Sequence, residues 1–256
     1  MGAIEILKKR WPEAALVIVL QAGLMVLVEE ISRQAQLLEY EPGTSPAHTG
    51  FILGVGTALF AVIWQMLYLG FLATASTTRH APKEPTELVK VGGYFFWRML
   101  RFQIILGIAY IGISFVLLAI VQSMVFGQKD VLSIPDWIAH LCSFAALAVL
   151  VKPMLLTPAV MIVRDRMVLK AFGMLREYKL SQAKGLLRAF FICFGAIFLL
   201  SSLQSLTGAA GVYHYVMVGI SALVSSTLVL AVTLAAVLFV ASKTKLDTEA
   251  QVERET

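Results

Sequence analysis

Two groups of residues have types and spacings that could do chemistry. The first is acidic and histidine-rich. Asp136 and His140 stand four residues apart, so on a helix they share one face. His214 opens a later apolar run, and Glu29 and Glu30 close an earlier one. If these helix ends meet, carboxylates and imidazoles gather as a possible metal or proton site. The plainer reading is that polar side chains collect where an apolar helix reaches water. The second group is Lys152-Pro153, with Pro158 one turn beyond, inside the apolar stretch "LAVLVKPMLLTPAVMIVRD". A lysine in that setting is an anion or lipid-headgroup ligand, or a charge that must be neutralised by its surroundings.

No catalytic signature accompanies them. HExxH, paired CxxC, GxSxG and phosphate-loop patterns are all missing from the sequence. Ser201, Ser202, Ser205, Ser225, Ser226 and Thr227 fit hydrogen bonds to their own or a neighbouring helix better than nucleophilic attack. A non-enzymatic protein without cofactor or bound metal is expected.

The elements that carry these residues follow from composition. Of 256 residues, 59% are hydrophobic and 14% charged, and the mean hydropathy is +0.81. Soluble domains hold about a quarter charged residues, so lipid is the solvent for most of this chain. An all-α polytopic membrane protein is expected. Crossing a ~30 Å hydrocarbon core takes about 20 apolar residues. Six stretches qualify: residues about 12–34, 50–75, 99–126, 137–163, 187–206 and 213–241. Together they form a single six-helix domain over residues 1–242. Residues 243–256 are charged and poor in apolar side chains, which predicts a disordered tail.

The first span follows Lys8, Lys9 and Arg10, as in a signal peptide. Arg33 stands where a cleavage site needs a small residue, so an uncleaved anchor is expected. Cys142 and Cys193 fall at different depths and should not pair.

Orientation follows from the cations. Of the 21 lysines and arginines, all but Arg33, Lys129 and Lys152 fall on one side of the six spans. By the positive-inside rule that side is cytoplasmic, with both termini. A multi-pass inner-membrane protein is expected. The net charge of +5 belongs to these flanks, and nucleic acid is not an expected partner. Membrane lipids are, with a protein partner or a second copy also open.

Two cytoplasmic connections carry helical patterns. Between spans four and five, Val168, Ala171, Phe172, Leu175 and Tyr178 recur at helical spacing, and Arg166, Lys170, Arg176 and Lys179 lie on other faces. Such an amphipathic helix can lie on the anionic inner leaflet or pack on the bundle. Between spans two and three, Pro82 and Pro85 stop one helix, Thr86 and Glu87 can start another, and Tyr94–Trp97 form an aromatic cluster. The two connections suggest a weak parallel repeat. The small-residue pairs Gly50/Gly54 and Ser221/Ser225 suit close helix packing, within the bundle or between copies.

Pro153 and Pro158 cannot donate to the carbonyls one turn back, and residues before proline resist the helix. A break at Lys152-Pro153 is therefore expected. Three readings stay open. Lys152 is buried against freed carbonyls or an acid such as Glu29 or Glu30. Alternatively, span four ends near it and residues 153–163 slope along the interface. In the third, Lys152 binds an anionic substrate or headgroup in a small transporter or channel.

The stretch "LTPAVMIVRDRMVLKAFGMLREYKLSQAKGLLRAFFICFGAIFLL" resembles a group of six-span bacterial membrane proteins that includes the membrane domain of glycerophosphodiester phosphodiesterases. Pro158 matches the proline of the descending span, Asp165 the acidic turn, and Ala171 the alanine opening the surface helix. Leu175 stands where that group often has serine. The resemblance implies a helical membrane module and no catalysis, because the phosphodiesterase barrel is not part of this chain.

Overall fold

The computed structural model describes residues 2–38, 47–77, 84–126, 136–178, 183–206 and 212–255. Those residues form helices α1 (Ala3–Lys9), α2 (Trp11–Leu38), α3 (Ala47–Thr77), α4 (Pro85–Val121), α5 (Asp136–Val163), α6 (Val168–Met174), α7 (Lys184–Leu206) and α8 (Val212–Glu255). A π-helical turn, Gln122–Phe126, ends α4, and a 3-10 turn, Leu175–Glu177, extends α6. No strand occurs among the described residues.

Five helices are long and apolar enough to cross a membrane: Trp11–Ile31, Val55–Ser76, Pro85–Met124, Leu141–Val163 and His214–Lys245. The chain is an all-α, multi-pass membrane protein. The remaining long helix, α7, has 23 residues and packs beside α8. Side-chain contacts fix the direction of the long helices. Arg10, Thr74, Arg98, Arg164, Asp165, Glu177, Lys243 and Thr244 meet at one end, the basic end, and Glu30, Arg33 and Tyr215 meet at the other.

The core lies toward the basic end. Residues 155–162 of α5 are buried on every side, which makes this stretch the centre of the bundle. Leu69–Leu72 of α3 and Leu230, Leu234, Val237 and Val240 of α8 close around it. By contrast, Ile104, Ile108, Ile111 and Phe115 of α4 are exposed, as suits a face turned to lipid. The closest helix contact is α3 against α4. A Cβ added to Gly70 would lie 1.9 Å from the Leu88 carbonyl oxygen, and one on Gly92 would lie 1.7 Å from that of Met66. Only glycine permits such a backbone approach.

Three expectations need correction. First, α5 runs unbroken through Lys152, Pro153 and Pro158 to Val163. The turn that Pro158 weakens is enclosed by the buried stretch 155–162, and the helix also continues through the half-buried Pro153. The helix neither stops at Lys152 nor breaks there. Second, residues 85–98 are the first turns of α4, not a separate connecting helix; Pro85 occupies the first turn, where a missing N–H costs nothing. The parallel repeat goes with it. Third, α8 continues to Glu255, so the expected disordered tail is helical; its alanine, lysine, glutamate and glutamine residues are good helix formers. The first span lies within α2, which continues as helix past Glu29 and Glu30 to Leu38.

Candidate functional site

The densest polar cluster occupies the basic end, around the turn between α5 and α6. Asp165 forms that turn with φ 47°, a left-handed conformation in which aspartate is one of the tolerated side chains. Arg98 of α4 donates to its carboxylate through Nη1, and the Tyr94 hydroxyl donates to Oδ2 at 2.9 Å. Arg98 Nη2 also donates to the Tyr94 oxygen at 3.0 Å, and its guanidinium stacks 4.6 Å from that ring's centre. The hydrogen bond from Arg98, with that from Tyr94, holds the Asp165 carboxyl below its usual value.

The next residues fasten the turn to α8. Arg164 donates to Thr244 Oγ1 and to Glu177 Oε2, each at 3.2 Å. Lys243 donates to the Glu177 carbonyl oxygen at 2.7 Å. The ring of Tyr178, fully buried, sits beneath both cations, 5.8 Å from Arg164 and 5.2 Å from Lys243. The α5–α6 turn is thus clasped between α4 and α8.

The clasp decides how α6 is presented. Val168, Ala171, Leu175 and Tyr178, the apolar face read from spacing, are buried in the bundle, and Phe172 packs against them with its ring 5.9 Å from Phe102. This face packs on protein, not on a bilayer. The opposite side exposes Met167 and, 78% accessible, Leu169, together with Arg166, Lys170 and Arg176. Lys179 lies outside the described residues. Apolar side chains interspersed with cations at the end of a membrane bundle suit the boundary between acyl chains and headgroups.

At the same end, Arg10 joins α1 to α2 and is only 5% exposed. Its Nη1 donates to Thr74 Oγ1 at 3.0 Å, its Nε stands 3.8 Å from Glu13 Oε1, and its guanidinium lies 5.0 Å from the centre of the Phe71 ring. Burial lowers its pKa below the ordinary arginine value, against the opposing pull of Glu13.

The opposite end partly assembles the other polar group. Glu30 pairs bidentately with Arg33, at 2.7 and 2.9 Å, and the Tyr215 hydroxyl approaches it at 3.5 Å. Glu29 is exposed instead. His214 is buried, its ring 5.9 Å from that of Tyr215. The side chains of Asp136 and His140 are outside the described residues, as are the surroundings of Gly50 and Gly54. Among the described residues no three metal-ligating side chains converge. Ser221 and Ser225 are buried within the bundle. Cys142 and Cys193 are free thiols.

Lys152 is half-buried on α5 and makes no hydrogen bond or ion pair with the described residues. Neither Glu29 nor Glu30 reaches it. Pro153 is half-buried and Pro158 buried, both inside the helix, so the three do not form a break that could cradle a ligand.

Arg98, Glu177 and Lys243 are not picked out by spacing, and Tyr94 and Arg10 are picked out only as part of an aromatic cluster and a basic flank. The legible signal was that Asp165 and Glu177 are rare acids in a basic stretch and so invite cationic partners. No family model, curated protein or solved structure matches the chain.

Proposed function

We propose that this chain is a non-enzymatic, six-span protein of the bacterial inner membrane that acts as a lipid-interacting module or scaffold, with α7 as the additional span and both termini cytoplasmic. The observation that carries the reading is the outward side of α6. Leu169 and Met167 project beside Arg166 and Lys170 from a turn clasped to α4 and α8. A rigidly held helix of this kind can insert two apolar side chains among acyl chains while its cations meet anionic headgroups. The charge distribution along the chain supports the orientation. The resemblance to the six-span group fits the places of Pro158 inside α5, Asp165 at the turn and Ala171 buried under α6.

The test is lipid retention. Wild-type protein purified in mild detergent should carry anionic phospholipid. A variant with Arg166→Glu, Lys170→Glu and Arg176→Glu should lose most of it while keeping its helical content. Equal anionic lipid on both proteins would overturn the reading.

A further inference from the structure

We infer that the interface of α2, α3 and α8 is a hydrated seam, entered from the basic end beside Arg10, that admits water and small hydrogen-bonding solutes to about the middle of the membrane. This goes beyond the lipid-binding role and does not depend on it.

The observation is a row of polar side chains on three helices, several with buried atoms that no protein group satisfies. At the mouth, Arg10 Nη2 and Glu13 Oε2 are both buried without a hydrogen-bond partner, although Arg10 as a residue is 95% buried. One is a donor and the other an acceptor. Their 3.8 Å separation through Nε and Oε1 is too long for a hydrogen bond, so the pair is not sealed against a third polar group. Farther along, Gln21 Oε1 on α2 and Trp64 Nε1 on α3 are likewise buried and unpartnered. Gln21 is eleven residues from Arg10 and Trp64 ten from Thr74, so both lie about 15 Å deeper at 1.5 Å per residue. One turn from Trp64, the Tyr68 hydroxyl meets Thr233 Oγ1 of α8, eleven residues from Thr244 and at the same depth.

These groups do not merely dot the bundle. Arg10–Thr74 ties the mouth to α3, and Tyr68–Thr233 ties α3 to α8. The row ends one turn beyond Gln21, where the Ser226 hydroxyl meets only the Met25 sulfur, at 3.8 Å. Unmet donors and acceptors at lipid depth are tolerated where they line a wet path. Over residues 155–162, α5 packs through apolar side chains except Thr157, whose buried Oγ1 is also unmet, whereas α2, α3 and α8 bring several such groups into one row. The seam therefore opens to the basic side and closes at Met25.

Cysteine accessibility tests this. In the full chain with Cys142→Ala and Cys193→Ala, single variants Gln21→Cys and Thr233→Cys would be exposed to a membrane-impermeant methanethiosulfonate in vesicles of either orientation. Ile108→Cys, on the lipid-facing side of α4, is the control. Both seam thiols should be modified from the basic side at least tenfold faster than the control, and from the opposite side no faster than it. Thr233→Cys is nearly isosteric, so it keeps the test decisive where Gln21→Cys fails to accumulate. Protection of the seam thiols equal to that of Ile108→Cys from both sides, or modification from the opposite side alone, would overturn the inference.

Discussion

Gly70 and Gly92 face one another where α3 crosses α4, so closely that a Cβ on Gly92 would stand 2.9 Å from the Gly70 backbone nitrogen and 1.7 Å from the Met66 carbonyl oxygen. The obstructing atoms are backbone, which cannot rotate aside. Gly92→Ala must therefore push two helices apart. Overpacking typically costs about 1–3 kcal/mol, and a backbone obstacle puts this site at the upper end. The neighbouring Gly93 has nothing within 4 Å of the same added atom. Gly93→Ala should be neutral, or stabilising by up to about 1 kcal/mol through helix propensity. Unfolding of the two variants in mixed micelles against rising denaturing detergent checks the contrast.

The Asp165 turn combines a backbone demand with a charge demand. Asparagine tolerates φ 47° but cannot accept from Arg98 as a carboxylate does; alanine meets neither demand. Thermal stability should fall in the order wild type, Asp165→Asn, Asp165→Ala. The sign of the pH dependence follows from the lowered pKa of Asp165. Its contribution is fully present above the ordinary carboxylate value of 3.8 and is lost as pH falls through the lower folded value. Melting between about pH 2 and 7 should show an acid loss in wild type that is smaller in Asp165→Asn. Parallel acid limbs would show that Asp165 does not couple to Arg98 in solution.

The clasp also predicts coupling between α5 and α8. Arg164 and Lys243 both reach Glu177, one through its side chain and one through its carbonyl oxygen. Glu177→Gln removes the ion pair but leaves the backbone acceptor, so it should cost no more than about 1 kcal/mol for such an exposed carboxylate. Arg164→Ala removes contacts to Glu177, Thr244 and the Tyr178 ring together and should cost clearly more. Limited proteolysis of the segment around Tyr178 would report the difference as faster cleavage in Arg164→Ala.

Hydropathy was enough to read the five apolar helices, because lipid solvation acts residue by residue along the chain. Gly70 and Gly92 could not be paired from spacing, since they lie on different helices and their closeness depends on the crossing point. Val168, Ala171 and Leu175 are buried against the bundle, and spacing alone cannot say whether such a face meets lipid or protein. Lys152-Pro153 stays helical for a related reason. Local preference disfavours helix at that position, yet α5 is continuous, and its next two turns are enclosed by the surrounding helices over residues 155–162. The acidic partners Asp165 and Glu177 were visible as exceptions in a basic stretch; Arg98 and Lys243 as their partners were not.

Lys152 supplies the sharpest remaining contrast. It lies within α5, half-buried, sixteen residues from Asp136, and makes no ion pair or hydrogen bond with the described residues. A lysine near the middle of a span costs about 2.5–3.5 kcal/mol on insertion scales. If nothing recruits it, Lys152→Leu should remove that cost, raising stability by about 1–3 kcal/mol and leaving retained anionic lipid unchanged. Stability against denaturing detergent and the lipid content of the purified variant are the two measurements. A stabilised variant with full lipid content would assign lipid contact to α6 alone. A variant that loses anionic lipid would instead make Lys152 a headgroup ligand and return the transporter reading to consideration without its helix break.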